Sequence, residues 1–235
     1  MAIEIGTSPA LATGTTTTVT TAAFSPPASS LLVAAVGAVS GTVPVVSGGG
    51  LTWTRRIQQS DSGGGYAEIW TAPCPSGGSG ITASVALTSA EGFGQLGALK
   101  VDVVTGAHAT SPIGQSGSGN TATNNATVTG YTSSAAGSRG WCSAIEATGP
   151  GTPSSTDDEF AWLLTLGGFF NYSGMAVRKA SSTPAAGSSV TFNLDAAGTG
   201  GISWWWAALE ILPAPERGPI RVVQSLSAVH RSTSW

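Results

Sequence analysis

Gly50-Leu51-Thr52-Trp53-Thr54-Arg55-Arg56-Ile57 has a counterpart about 109 residues later, Glu159-Phe160-Ala161-Trp162-Leu163-Leu164-Thr165-Leu166, with Trp53 set against Trp162. The same spacing sets Ile81–Leu87 against Val190–Leu194, and Val19-Thr20-Thr21 against Val128-Thr129-Gly130. Ala98-Leu99-Lys100-Val101 meets Ala208-Leu209-Glu210-Ile211 with one extra residue in the second copy. The matched pieces are rich in β-branched and aromatic residues, so what repeats is an order of strands. A duplicated strand order predicts a symmetric, all-β body, and no catalytic motif is copied with it.

Outward from these segments, no stretch sustains a helical period, and Gly, Pro and Ser punctuate short strand signals throughout. The first half reads as strands at Thr15–Thr21, Leu31–Ala38, Leu51–Gln58, Tyr66–Thr71, Ile81–Thr88 and Leu96–Val104. The third and fourth of these form a hairpin across Gly63-Gly64-Gly65. The second half reads as Ala126–Thr129, Trp141–Ala147, Phe160–Leu166, Gly174–Lys179, Val190–Leu194 and Ile202–Leu212. The expectation is an all-β, antiparallel, jelly-roll-like sandwich of about twelve strands built from two repeated halves. Residues 1–14 form an N-terminal segment, 15–109 the first half, 110–212 the second, and 213–235 an extended C-terminal arm. Ala107–Thr123, with Ser116-Gly117-Ser118-Gly119-Asn120, reads as a linker. One body with a shared core and two tandem sandwiches both fit, and the thin Ala- and Gly-rich halves favour the single body. Pro213-Ala214-Pro215 takes the chain out of the sheet.

Charged residues make up 9% of the chain, against about 25% in an ordinary soluble domain. Ser, Thr, Gly, Asn and Ala must therefore cover the surface, which is poorly guarded against association. Such a surface suits a subunit packed in an assembly, or a protein in harsh solution outside cells. Residues 213–235 set Glu216 against Arg217, Arg221 and Arg231, a net +2, so the rest of a chain of net charge −3 holds −5. A basic arm can dock on the acidic face of a neighbouring copy. Nucleic-acid binding asks for a denser basic stripe. Cys74, read in a loop, and Cys142, read on a strand, define neither a disulfide framework nor a zinc pattern. Met1-Ala2-Ile3-Glu4-Ile5-Gly6 lacks the basic and apolar regions of a secretory signal. The apolar run Leu31–Val39 is too short to span a bilayer. A soluble protein without membrane insertion is expected.

Trp204-Trp205-Trp206 is the least ordinary segment. Alternation with Leu209 and Ile211 inward puts Trp205 in the core, and Trp204 and Trp206 on an outer face with Ala208 and Glu210. Paired outer tryptophans read first as covered by a long loop or the C-terminal tail of the same chain, and otherwise suit a subunit contact or stacking on sugar rings. Tyr66, Glu68 and Trp70 share one strand face, which reads as cross-strand pairing first and as a small glycan cleft second. Asp157-Asp158-Glu159 reads as a solvated loop, because it lacks the spaced oxygens that calcium needs. His108 and His230 are the only histidines, one in a loop and one in the arm. No nucleophile elbow, zincin helix, phosphate loop or dinucleotide fingerprint occurs. A glycosidase needs two facing carboxylates, and Glu68, Glu91, Asp102, Glu146 and Glu210 are the acids available. The expectation is a non-enzyme with no catalytic residues, no cofactor and no metal.

Ser29-Ser30-Leu31-Leu32-Val33-Ala34-Ala35-Val36, Gly50–Arg56, Tyr66–Pro73 and the closing Trp206-Ala207-Ala208-Leu209-Glu210-Ile211-Leu212-Pro213-Ala214 resemble β-sandwich modules of minor tail and other virion proteins of tailed phages infecting actinobacteria. The resemblance covers about residues 15–214. It implies structural or receptor-contact duty, homo-oligomerisation, other virion proteins as partners, and assembly into virions in the host cytoplasm. It supplies no catalytic residues. The expected role is a minor tail protein. A capsid decoration protein is one alternative. The other is a carbohydrate-binding module contacting a host surface glycan through Trp204, Trp206, Tyr66 and Trp70. The arm 213–235 would lock to a neighbour through apolar Ile220, Val222, Val223 and Leu226 and through Arg217 and Arg221.

Overall fold

The computed structural model describes residues 1–90, 94–121, 125–146, 157–166, 170–195 and 203–216, and these form sixteen strands in antiparallel sheets. In chain order they are β1 (Glu4–Ile5), β2 (Ala12–Gly14), β3 (Thr18–Thr20), β4 (Ser30–Val39), β5 (Val45–Gly48), β6 (Thr54–Ser60), β7 (Gly65–Cys74) and β8 (Ala83–Ala86). There follow β9 (Leu96–Thr105), β10 (Ile113–Thr121), β11 (Asn125–Thr132), β12 (Arg139–Glu146), β13 (Asp158–Leu166), β14 (Phe170–Arg178), β15 (Ser189–Asp195) and β16 (Trp204–Ile211).

The all-β sandwich expectation holds, with sixteen strands rather than twelve. β1, β2 and β5 are short additions, and β1 and β2 bring the N-terminal segment into the first half by pairing with β9. β10 replaces the expected linker: Ile113–Thr121 pairs with β16. Its glycines make room for other groups, since a Cβ on Gly119 would stand 2.8 Å from Cζ2 of Trp206. A small residue facing a large ring fills the sheet as well as two medium ones do.

Each half is a sandwich of a large sheet and a small one. The first large sheet runs β1-β9-β4-β7-β6, with β2 also on β9, and its small partner runs β3-β8-β5. The second large sheet runs β10-β16-β12-β14-β13, with β11-β15 as its small partner. β9, β4, β7 and β6 of the first half thus take the places of β16, β12, β14 and β13 in the second. The two large sheets lie face to face, with β6 against β16 and β10, and β13 against β9 and β2. This exchange of edges is what a pseudo-two-fold relation between the halves produces.

Four layers result, with three apolar interfaces. Leu32, Val36, Leu99 and Val101 meet Val19, Val46 and Val85 of the first small sheet. Cys142, Met175, Trp204 and Trp206 meet Val128, Phe192 and Leu194 of the second. Between the large sheets lie one cluster with Leu31, Val33, Ile69, Trp141, Leu209 and Ile211, and another with Val39, Leu96, Ile145 and Trp162. The architecture therefore has a core in each sandwich and a further core between them. Central strands are covered on both sides, which explains the unbroken apolar run of β4, buried along its whole length. Cys74, the last residue of β7 rather than a loop residue, and Cys142 are buried free thiols in different cores.

Met1 and the segment after β16 meet. Ala214 donates its N–H to the Gly106 carbonyl at 2.7 Å and accepts from the Met1 amino group at 3.1 Å. Pro213 bridges to Ala107. The body thus extends two residues past Leu212, because the C-terminal end of β16 is clasped to the loop after β9.

Candidate functional site

On the inward face of β9, Leu96, Ala98, Lys100, Asp102 and Val104 alternate with residues that face the small sheet. Lys100 and Asp102 interrupt this apolar row and are buried at 4% and 2% exposure. A buried charge needs a partner of opposite sign and filled hydrogen-bonding positions. Asp102 has both. Its Oδ1 accepts from Arg178 Nη1 at 2.9 Å and lies 3.0 Å from Lys100 Nζ, while its Oδ2 accepts from Trp141 Nε1 at 2.9 Å. Lys100 Nζ also donates to the carbonyl of Pro9 at 2.9 Å and lies 4.5 Å from the centre of the Phe160 ring. Arg178 then grips Asp158 through Nε at 2.9 Å and Nη2 at 2.6 Å. Arg139 donates to the carbonyls of Lys179 and Ala180 and lies 3.6 Å from Asp158. Burial and the nearby Arg178 pull the Arg139 guanidinium below the usual arginine range.

This network joins the halves, since Lys100 and Asp102 belong to the first sandwich and Trp141, Arg178 and Asp158 to the second. Ser143 adds a further tie, donating from Oγ to the Val36 carbonyl at 2.7 Å. The acidic run is accordingly no solvated loop: Asp158 opens β13 in ion pairs, and Asp157 binds Lys179 Nζ at 2.6 Å. The signal available in the sequence was Lys100-x-Asp102 inside an apolar strand, which puts two opposite charges on one buried face.

Trp204 and Trp206 are covered within the chain, by the second small sheet rather than by a loop or the C-terminal tail. Trp204 is fully buried and Trp206 is 9% exposed, both in the core of the second sandwich, whereas Trp205 is half-buried between the large sheets. The alternation was right, but both faces of β16 are covered. Glu210, expected outward, is buried and accepts from the backbone N–H of Gln115 at 2.8 Å, the backbone N–H of Ser134 at 2.9 Å and the Ser134 hydroxyl at 2.7 Å. Burial alone would raise its pKa, but these hydrogen bonds outweigh that and hold the carboxyl below its usual range. Glu210 thereby ties β10 and the turn after β11 to β16.

Tyr66, Glu68 and Trp70 do share a face, and only Tyr66 reaches the surface. Trp70 is buried, and its Nε1 donates to Oε2 of the fully buried Glu68 at 2.7 Å. Arg55 Nη1 donates to Glu68 Oε1 at 3.2 Å, and the guanidinium lies 5.8 Å from the centre of the Trp70 ring. Tyr66 lines an open cleft of about 690 Å³ with Ser40, Thr42, Asp61, Thr88 and Ser89 at the end of the first sandwich. Several lining groups are already engaged: the Thr42 and Thr88 hydroxyls lie 2.9 Å apart, and Asp61 Oδ1 accepts from Gly63 and Gly65. His108 Nδ1 accepts from the backbone N–H groups of Thr110 and Ser111 in its loop. Glu91, His230, Arg217, Ile220, Arg221, Val222, Val223 and Leu226 lie outside the described residues.

The four acids considered for catalysis that lie among the described residues are apart. Glu68 faces the first small sheet, Asp102 lies between the large sheets, and Glu146 and Glu210 lie at opposite ends of the second sandwich, paired with Ser173 and Ser134. Among the described residues, no three His, Cys, Asp or Glu side chains converge as a metal site. Comparison with known proteins finds no matching family model, no similar curated protein and no similar solved structure.

Burial dominates the other influences on Glu68 and raises its carboxyl pKa above the usual value. The native state therefore holds this proton more tightly than the unfolded chain, and the contribution is lost as pH rises from the ordinary carboxylate range through the raised value. Glu68→Gln keeps an acceptor and removes the titration. Relative to the natural protein, the variant should gain stability as pH rises through that window, measured by urea unfolding across a pH series. Parallel stability curves would show that Glu68 is not the source.

Proposed function

We propose that this chain is a non-enzymatic structural component of a tailed-phage virion, a minor tail protein that packs against other virion proteins and further copies of itself. The sequence resemblance over residues 15–214 supports this reading, and the observation that carries it is where the few charges are used. Glu68, Lys100, Asp102, Arg139, Glu146 and Glu210 are all buried, tying strand to strand and sandwich to sandwich. Hydroxyl-bearing and small residues are left to form the outside, as on Thr18, Thr20, Ser47, Thr127 and Thr129 of the small sheets. Such a surface suits a subunit whose exterior is used in contacts.

The C-terminal arm serves as the lock in this proposal. Because Pro213 and Ala214 belong to the body, the informative truncation ends at Glu216. It is expected to stay folded and to be left out of particles when it replaces the full chain in an infected host. Incorporation at the normal level would contradict the arm's role. A capsid decoration protein differs in copy number, with hundreds per particle against few in a tail. A host glycan contact retains one supporting observation, the hydroxyl-lined cleft beside Tyr66, and loss of glycan-array binding in Tyr66→Ala would support it.

A further inference from the structure

A sheet edge exposes unpaired backbone groups, and proteins that stay apart blunt their edges with short strands, bulges or charges. This chain blunts nearly all of its described edges. β1, β2, β3 and β5 have two to four residues each. β6 carries Arg55 and Arg56 and slips register between Arg55 and Ile57. β10 and β11 each contain a register shift, and the Thr191 carbonyl of β15 is capped by Lys179 Nζ at 3.0 Å.

β13 is the exception. It is the edge of the second large sheet, nine residues long, and pairs with β14 without a register shift. From Phe160 to Leu166 it carries no charge, and Leu163 is 48% exposed on it. Its pseudo-symmetric counterpart, β6, is broken by a register shift where β13 is regular, and among the described residues no strand pairs with the outer edge of β13.

We propose that β13, whose outer edge is unpaired by any described strand, pairs antiparallel from Phe160 to Leu166 with β13 of a second copy, making one continuous sheet across a two-fold axis. The sequence of the strand supports a second copy as occupant. With Leu163 opposite Leu163 of the other copy, Ala161 meets Thr165, Trp162 meets Leu164, and Phe160 meets Leu166. The acidic Asp158 and Glu159 then fall beyond the partner's Leu166, so no like charges face each other. The exposed leucines cover one another at the axis, and Trp162 and Leu164, already packed between the large sheets, continue that apolar layer into the neighbour.

The test is light scattering of the full chain over a concentration series, with hydrogen exchange on the same samples. A dimer is expected, with amides of residues 161–165 protected as it forms. Leu163→Lys puts a charge at the axis on an exposed position and is expected to weaken dimerisation at least tenfold without loss of fold. Val45→Lys, a comparable change on an exposed valine of β5, is expected to leave the dimer intact. A monomer at every concentration, a dimer indifferent to Leu163→Lys, or a dimer without protection in β13 would each overturn the proposal. None of these outcomes bears on whether the chain is found in virions.

Discussion

Asp102→Ala is expected to lower stability by about 3–5 kcal/mol, as removal of one partner from a buried ionic network does. The carboxylate receives Arg178, Lys100 and the Trp141 indole N–H from two different halves of the chain. Without it, the Lys100 ammonium and the Trp141 indole lose an acceptor where water does not readily replace it. Arg178 keeps Asp158, so part of the network survives. Coupling should therefore be visible in a double-mutant cycle: Asp102→Ala and Arg178→Ala together should cost less than the sum of the two alone. Chemical unfolding of the four proteins is the check. Additive losses would mean that the two residues act separately and that the network does not join the sandwiches.

Trp204→Ala is the second large effect, expected at about 3–5 kcal/mol for a fully buried tryptophan. In a chain of this size that corresponds to a fall in Tm of roughly 6–20 °C. The indole lies wholly within the core of the second sandwich, and alanine leaves a cavity that rigid sheets on both sides cannot close. Trp205→Ala, at the half-buried neighbour, should cost less. Scanning calorimetry separates the two. Equal, small losses would return Trp204 to the surface role that strand alternation suggested.

That alternation shows what the sequence makes legible and what it withholds. The all-β class, the β6–β7 hairpin and the repeated strand order could be read from turn residues and β-branched runs. The alternation in Trp204-Trp205-Trp206 and Leu209-Glu210-Ile211 was also readable, but alternation tells which residues share a face and not whether that face is wet. In a four-layer stack both faces of β16 are dry, so Glu210 and two tryptophans turn inward against expectation. β10 was hidden for a related reason: its glycines look like a linker until Trp206 on the neighbouring strand is seen lying over Gly119.

The repeat itself holds for strand order and fails residue by residue. Trp53 precedes β6, packs on the first core and donates to the Gly48 carbonyl at 3.1 Å. Trp162 lies in the middle of β13 and points between the large sheets, where a Cβ on Gly37 would stand 2.6 Å from its Cζ2. Leu99 faces the first small sheet, whereas Leu209 faces the opposite half. Shifting a strand by one residue exchanges its faces, so a match in letters can align residues that point in opposite directions.

Quantitative mass spectrometry of salt-washed virus particles, purified from cultures in which the gene for this chain is expressed, tests the central claim most directly. The account predicts the chain at a fixed ratio to the major structural proteins, low for a tail position. A chain abundant in the lysate and missing from the particles would contradict it.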